Sequence, residues 1–280
     1  MNMSDDDNQL PAFISEMKNH PESIAHRGGN GEWPGETIGA YEHARSLGVD
    51  VIEMDIYLTG DQQLVLMHDR LVNKTTDGTG PVESYTCAEI QKLNAGFKWT
   101  GEAGFPHESH LTDLSPELQR KLRVPRLSEV LEEFGDMRMV IEMKPAFASP
   151  AANLWEMLQH YNITDKVLVA SFSDDFIDEF RDLSQGRVAT SASFEEFGEF
   201  VLGFHGFENH PVKPCVIDAP YWLLTEHLVN KIKDHGYMVH AWTVNDAEEM
   251  ARMRDLGVDG IITDYPTLLR DVLGRTPPTP

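Results

Sequence analysis

Thr37-Ile38-Gly39-Ala40-Tyr41-Glu42-His43-Ala44-Arg45-Ser46-Leu47-Gly48-Val49-Asp50-Val51-Ile52-Glu53-Met54-Asp55-Ile56 holds one full unit of the rhythm that decides the fold. Ile38, Tyr41, Ala44 and Leu47 recur at helical spacing and predict a helix over 37–47, with Gly48 suited to its C-terminal stop. The apolar, β-branched run at 51–56 then reads as a strand. Outward from this unit the pattern repeats. Further strand candidates lie at 23–25, 64–67, 139–143, 167–170, 187–190, 216–218, 238–242 and 260–263. Helical stretches lie at 127–134, 154–161, 176–183, 228–235 and 250–256, the last two ended by Gly236 and Gly257. Such alternation means parallel strands with crossover helices. These nine candidates exceed by one the eight strands of a TIM (β/α)8 barrel. The surplus is 64–67, which follows 51–58 across Thr59-Gly60-Asp61 as a hairpin partner would. A doubly wound sheet is the alternative, disfavoured because no G-x-G-x-x-G follows the first strand.

At 280 residues the chain suits one such barrel, here 23–275. Residues 1–22 are polar and acidic apart from Phe13 and Ile14, and read as an arm or helix covering one end of the core. Residues 70–125, broken by Gly78, Gly80, Pro81, Gly96, Gly101, Gly104, Pro106 and Pro116, are too long for a plain connection. They read as an insertion over one end of the barrel that shapes the substrate pocket. Lys and Arg number 23 against 46 Asp and Glu, a formal charge of −23. That excludes non-specific nucleic-acid binding and charge-driven anchoring on an anionic membrane, and suits capture of a cation. No apolar run reaches membrane-span length, and the start lacks the basic-then-apolar plan of a signal peptide. The reading is cytoplasmic, although a chain shorn of its leader would read the same. Cys87 and Cys215 make neither a disulfide framework nor a zinc site.

The polar residues that could do chemistry sit near strand C-terminal ends, which in a barrel open on one face. Glu53 and Asp55, two apart on a strand, project to the same side. Glu142 has the same setting within Met139-Val140-Ile141-Glu142-Met143. Two readings are open for these acids. They hold a hard divalent cation, Ca²⁺ or Mg²⁺, or they pair with Arg27, Lys144 or backbone without metal. Arg27 and Lys144 either grip phosphate or merely neutralise the acids. His26 and His68 are candidates for general acid and base, since imidazole titrates near neutral pH. Asp69 orients an imidazole or caps a turn. Trp242 and Phe172 floor a pocket or fill the barrel top. His107 and His110 lack a third ligand and read as surface residues. Phe194, Phe197, Phe200 and Phe204 form an aromatic stripe at helical spacing that is either core or a lipid or subunit contact. There is no His-x-His, Walker loop or G-x-S-x-G elbow.

Several runs together give the chain a resemblance. They are Ala25-His26-Arg27-Gly28-Gly29, Val51-Ile52-Glu53-Met54-Asp55, Leu66-Met67-His68-Asp69, Ile141-Glu142-Met143-Lys144, Trp242-Thr243-Val244-Asn245 and Gly260-Ile261-Ile262-Thr263-Asp264-Tyr265-Pro266. In this order they resemble the glycerophosphodiester phosphodiesterase family. The resemblance implies a TIM barrel and one divalent metal, with Glu53, Asp55 and Glu142 matching its ligands. It matches His26 and His68 to an acid/base pair and Arg27 and Lys144 to phosphate-binding residues. The implied reaction releases glycerol 3-phosphate and an alcohol from a glycerophosphodiester. The sequence departs at Pro34-Gly35-Glu36-Thr37, where the family spells Pro-Glu-Asn-Thr. Either Glu36 takes over through a loop shift or that acid is lost. Gly29-Asn30-Gly31-Glu32 and the insertion resemble the family's lysophospholipase D branch, so the small-molecule partner is a glycerophosphodiester or a lysophospholipid. A reading of another class is a non-catalytic barrel that binds a phospholipid head group. Decayed enzymes tend to lose a histidine or a metal acid, and here all are present. Oligomeric state has no signature in the sequence.

Overall fold

A computed structural model of the chain describes residues 12–15, 17, 20–101, 108–203 and 212–276. Nine strands form: β1 (Glu22–Ala25), β2 (Val51–Leu58), β3 (Leu64–Leu66), β4 (Arg138–Met143), β5 (Val167–Ala170), β6 (Ala189–Thr190), β7 (Val216–Pro220), β8 (Met238–Trp242) and β9 (Gly260–Thr263). All lie where the sequence places them. The sheet runs β6-β5-β4-β2-β1-β9-β8-β7, with every neighbour on that path parallel. Its two ends then meet. Ser191 bridges Val216 in parallel, Cys215 N–H donates to Thr190 O (2.8 Å), and Ala192 N–H donates to Val216 O (2.8 Å). The sheet is therefore a nearly closed eight-stranded barrel, not a doubly wound sheet. β3 stays off this path and pairs antiparallel with β2, as a hairpin.

Helices α1 (Ala12–Ser15), α2 (Ile38–Leu47), α3 (Cys87–Ile90), α4 (Pro116–Leu122), α5 (Leu127–Phe134) and α6 (Ala151–Tyr161) precede β5. α7 (Asp174–Ser184), α8 (Phe194–Leu202), α9 (Glu226–Asp234), α10 (Ala247–Leu256) and α11 (Pro266–Val272) follow it. Thr37 caps α2 by accepting from Ala40 N–H, and Gly48 ends it in the left-handed region, as its sequence requires. Two large clusters, one built on Ile52, Met54 and Ile141, the other on Ile217, Val239 and Ile261, pack the barrel wall against the helices. A third holds Ile24, Val51, Val140, Leu168, Val216 and Ile262, the alternate strand residues that point inward. Phe13 and Ile14 of α1 join this inner cluster. Arg138 stacks over the Phe13 ring at 4.0 Å and binds the Glu22 carboxylate, so α1 stoppers the barrel opposite the functional end.

Within 70–125 a small core of Val72, Val82, Cys87, Ile90 and Val124 packs on Tyr57, Val65 and Met67. The loop after β1 meets this region where the Trp99 indole donates to Asn30 O (2.8 Å). His110 bonds Asp77 (2.7 Å), while His107 and Phe204 lie outside the described residues. Both cysteines are free. No helix among the described residues is long and apolar enough to cross a membrane.

Candidate active site

The strand C-termini surround a cavity of about 270 Å³. His26, Arg27, Glu53, His68, Glu142 and Lys144 line it, with Phe172 and Trp242 on its far wall. Asp55 is buried immediately behind. Separate stretches of sequence therefore bring every expected site residue to one place. Strand register explains it. Asp55 lies opposite Glu142 in the β2–β4 pair, and Glu53 is two residues earlier on the same face. Among the described residues none from 70–125 lines the cavity.

Glu53, Asp55 and Glu142 each offer an oxygen, all within 4.8 Å of one another. Lys144 Nζ stands 2.9 Å from Asp55 Oδ1 and 2.6 Å from Glu142 Oε1, and Arg27 Nε stands 3.2 Å from Asp55 Oδ2. The acids thus pair with both cations, one of the two possibilities the sequence left open. These contacts leave the set acid-rich. Glu53 accepts only the Arg27 backbone N–H (2.8 Å), and burial and then the Asp55 charge hold its carboxyl well above the usual range. Burial and Asp55 also push Glu142 up, to about 7. Burial opposes ionisation of Asp55, yet Lys144 and Arg27 outweigh it and hold that carboxyl below its usual range. Neither Asp55 oxygen makes a geometric hydrogen bond. Three converging carboxylates with free lone pairs and mutual repulsion fit a hard divalent cation.

Glu36 completes the cluster from behind. Its Oε1 accepts from Asp55 N–H (3.0 Å) and its Oε2 from the Tyr41 hydroxyl (2.7 Å). The loop reaches this position with Glu36 at φ 60°, behind the three acids and outside the cavity lining. Arg27 is likewise left-handed at φ 53°. Two non-glycine residues in that region, in the loop that carries the site, mark strain of the kind functional loops hold.

His26 Nδ1 lies 2.6 Å from Asp264 Oδ1. Asp264 is itself fixed, since Asn245 Nδ2 donates to its Oδ2 (2.7 Å) and Asn245 Oδ1 accepts its backbone N–H (2.9 Å). Among the described residues His68 has no such partner, for Asp69 is 3.6 Å away. Burial, partly offset by Asp55, lowers the His68 pKa to about 4. Sequence reasoning quoted Asn245 and Asp264 in its motifs without giving them a role. The pairing of one strand end with the loop beside it is a three-dimensional fact. Phe172 and Trp242 pack edge to face at 5.9 Å, with Trp222 6.0 Å from Trp242. Phe194, Phe197 and Leu223 extend this apolar wall, and Phe194 is 67% exposed. The aromatic stripe therefore divides, with Phe200 in the core and its first two rings on the cavity.

Residues 26–268 match the Glycerophosphoryl diester phosphodiesterase family. A glycerophosphodiester phosphodiesterase of Caldanaerobacter subterraneus is 33% identical over 260 residues, covering 90% of this chain and 97% of that one. A lysophospholipase D of Mus musculus is 25% identical over 303 residues, covering 95% and 91%. An Oleispira antarctica phosphodiesterase, solved with the product sn-glycerol-3-phosphate, superposes with a TM-score of 0.75 at 24% identity, covering 94% of this chain and 99% of that one. The barrel, the acid cluster and a family match running almost from end to end agree, and the chain belongs to the glycerophosphoryl diester phosphodiesterase family of enzymes.

Proposed function

We propose that this enzyme hydrolyses glycerophosphodiesters to glycerol 3-phosphate and an alcohol, with His26 and His68 as its proton-transfer pair. The observation that carries the reading is one cavity lined by both imidazoles together with Glu53, Glu142, Arg27 and Lys144. Glu53, Asp55 and Glu142 would hold Ca²⁺ or Mg²⁺, which when bound supplies positive charge to phosphate oxygens. Arg27 Nε faces the Asp55 carboxylate as an ion pair at 3.2 Å, and its terminal nitrogens suit a bidentate grip on phosphate. Lys144 donates a hydrogen bond to Glu142 and stands as an ion pair 2.9 Å from Asp55 Oδ1, with its charge on the cavity lining.

The histidines divide by surroundings. Asp264 takes the Nδ1 side of His26 and orients the ring, which suits protonation of the leaving alkoxide through Nε2. His68, half-buried with Asp69 3.6 Å away and its pKa lowered to about 4 by desolvation, suits the neutral base that deprotonates the nucleophile. That nucleophile is water or the neighbouring glycerol hydroxyl, and phosphorus NMR separates them by a transient cyclic phosphate. The described residues of 70–125 act on the pocket indirectly in this reading, by bracing the loop after β1 through Trp99 and Asn30.

A second reading, lysophospholipase D activity, is favoured by the apolar mouth, where Phe172, Phe194 and Leu223 are all exposed. Glycerophosphocholine and lysophosphatidylcholine, each assayed with Ca²⁺ and with Mg²⁺, decide between them. The expected result is glycerol 3-phosphate and choline from the first, abolished by EDTA and restored by metal. Faster turnover of the lipid moves the enzyme to the second reading. Inertness toward both would leave the non-catalytic head-group-binding barrel.

A further inference from the structure

Inside the barrel, one layer below the aromatic wall, β7 and β8 place two ionisable groups side by side. Asp218 pairs in register with His240, as Pro220 does with Trp242 one layer above. Asp218 Oδ1 lies 3.1 Å from His240 Nδ1. His240 is fully buried, and neither of its ring nitrogens makes a hydrogen bond in good geometry. Its edge packs against β9 so closely that a Cβ on Gly260 would come 2.6 Å from the ring. Asp218 is the only acid in the described cavity lining besides Glu53 and Glu142, and its side chain is 16% exposed.

An unshielded carboxylate is a poor lining for a pocket that takes a phosphodiester anion, unless it meets hydrogen-bond donors on the substrate. We propose that Asp218 is a substrate-positioning residue that accepts hydrogen bonds from the free hydroxyls of the glycerol moiety, with His240 the positioning residue behind it. The inference rests on the proposed glycerophosphodiesterase reading and names how that site reads its substrate. Depth favours hydroxyls over a cationic alcohol. The invariant glycerol belongs in the inner, walled part of the cavity where Asp218 sits, and the variable alcohol belongs at the open mouth among Phe172, Phe194 and Leu223. A buried imidazole then has a purpose that Val or Leu could not serve. Its Nδ1 stands 3.1 Å from the carboxylate on the dry side, which leaves the other side free for substrate. Sites built to hydrogen-bond a substrate hydroxyl reject the analogue that lacks it.

The test compares glycerol 3-phosphate with propyl phosphate, which has the same carbon chain and phosphate but neither hydroxyl. Each is titrated into the metal-supplied full-length protein by calorimetry. Wild type should bind glycerol 3-phosphate roughly 10- to 100-fold more tightly, the range for hydrogen bonds to a charged acceptor. Asp218→Ala should bring the two affinities within about threefold by weakening glycerol 3-phosphate alone, and Asp218→Asn should retain part of the difference. His240→Leu should reproduce the loss with a normal melting curve, and His240→Asn, which keeps a nitrogen near the Nδ1 position, should restore it. An unchanged ratio in Asp218→Ala, equal weakening of both ligands, or no preference in wild type would overturn the assignment. So would a turnover defect in Asp218→Ala confined to glycerophosphodiesters of cationic alcohols, which would put Asp218 against the ammonium. Wild-type turnover of glycerophosphocholine is read separately. Its absence removes the proposed function, whereas turnover with an unaltered binding ratio in Asp218→Ala removes this inference alone.

Discussion

Two imidazoles lining one cavity are not equivalent when one rests on a fixed carboxylate and the other does not. Asp264 holds His26 at 2.6 Å, and Asn245 holds Asp264, which in the proposed mechanism orients His26 to deliver a proton to the leaving group. A leaving group that needs no proton should therefore forgive its loss. His26→Ala is expected to lose about 10²- to 10⁴-fold with glycerophosphocholine, yet far less with a nitrophenyl phosphodiester, whose phenolate leaves unaided. His68→Ala should lose a similar factor on both substrates, since the nucleophile needs its base in either case. Steady-state rates on the two substrates check this, and equal penalties for His26→Ala on both would reverse the assignment. Asp264→Asn should follow His26→Ala in kind with a smaller loss, because it removes only the orienting charge. At this scale the sequence was readable wherever a charged residue interrupted an apolar strand, as with Glu53, Asp55 and Glu142. Asp218 and His240 interrupt strands in the same way and carried the same signal. They stood outside the runs that gave the resemblance, and nothing in sequence spacing tells which interrupted strands face one another.

Elements carried their own signals unevenly. The strands were legible because the inner and outer faces of a barrel wall are both buried, which leaves short continuous apolar runs. Helices with an amphipathic stripe were legible too, although α6, α7, α9 and α10 begin two or three residues before their first large apolar side chain, at polar or small residues. α11 has a proline in its first turn and only a short apolar face, and α4 lies inside Gly- and Pro-rich sequence, so neither rose above its surroundings. The loop between β1 and α2 hid its conformation, because left-handed Arg27 and Glu36 carry no residue-type signal for it. α1 is short, and its worth lies in what it plugs. Phe13 is fully buried between the inner-barrel cluster and the Arg138 guanidinium. Phe13→Ala should cost about 3–5 kcal/mol of stability, the range for a buried Phe. Because the plug lies opposite the cavity, KM should stay near wild type at temperatures where the variant is folded. Urea unfolding with parallel kinetics checks both parts. An unchanged midpoint would show that α1 does not seal the barrel, and a raised KM would show that the two ends are coupled.

For the whole molecule, a charge of −23 opposes the approach of an anionic diester, so the positive field must be local and metal must do part of the work. The acid cluster states the same conflict in folding terms. Burial first, and then neighbouring charge, raise Glu142 from 4.5 to about 7 and hold Glu53 and Glu36 well above their usual range. A carboxyl whose folded pKa lies above its unfolded one contributes stability that is full below the unfolded value and is lost as pH rises through the folded value. Asp55, lowered, acts oppositely, with stability present above its unfolded value and lost in acid. Three raised groups against one lowered make the sum fall between pH 4.5 and about 7 in metal-free protein. General repulsion among surface acids works in the same direction, so the cluster is isolated by difference. The melting temperature of Glu142→Gln should fall less across that interval than that of wild type. A divalent cation binds the ionised carboxylates, so Ca²⁺ or Mg²⁺ should raise the wild-type melting temperature more at pH 7 than at pH 5. Thermal melts at the two pH values, with EDTA and with each metal, measure this directly. A metal-induced gain of equal size at both, or a Glu142→Gln slope matching wild type, would mean that these carboxylates neither share a cation nor repel one another as their placement requires.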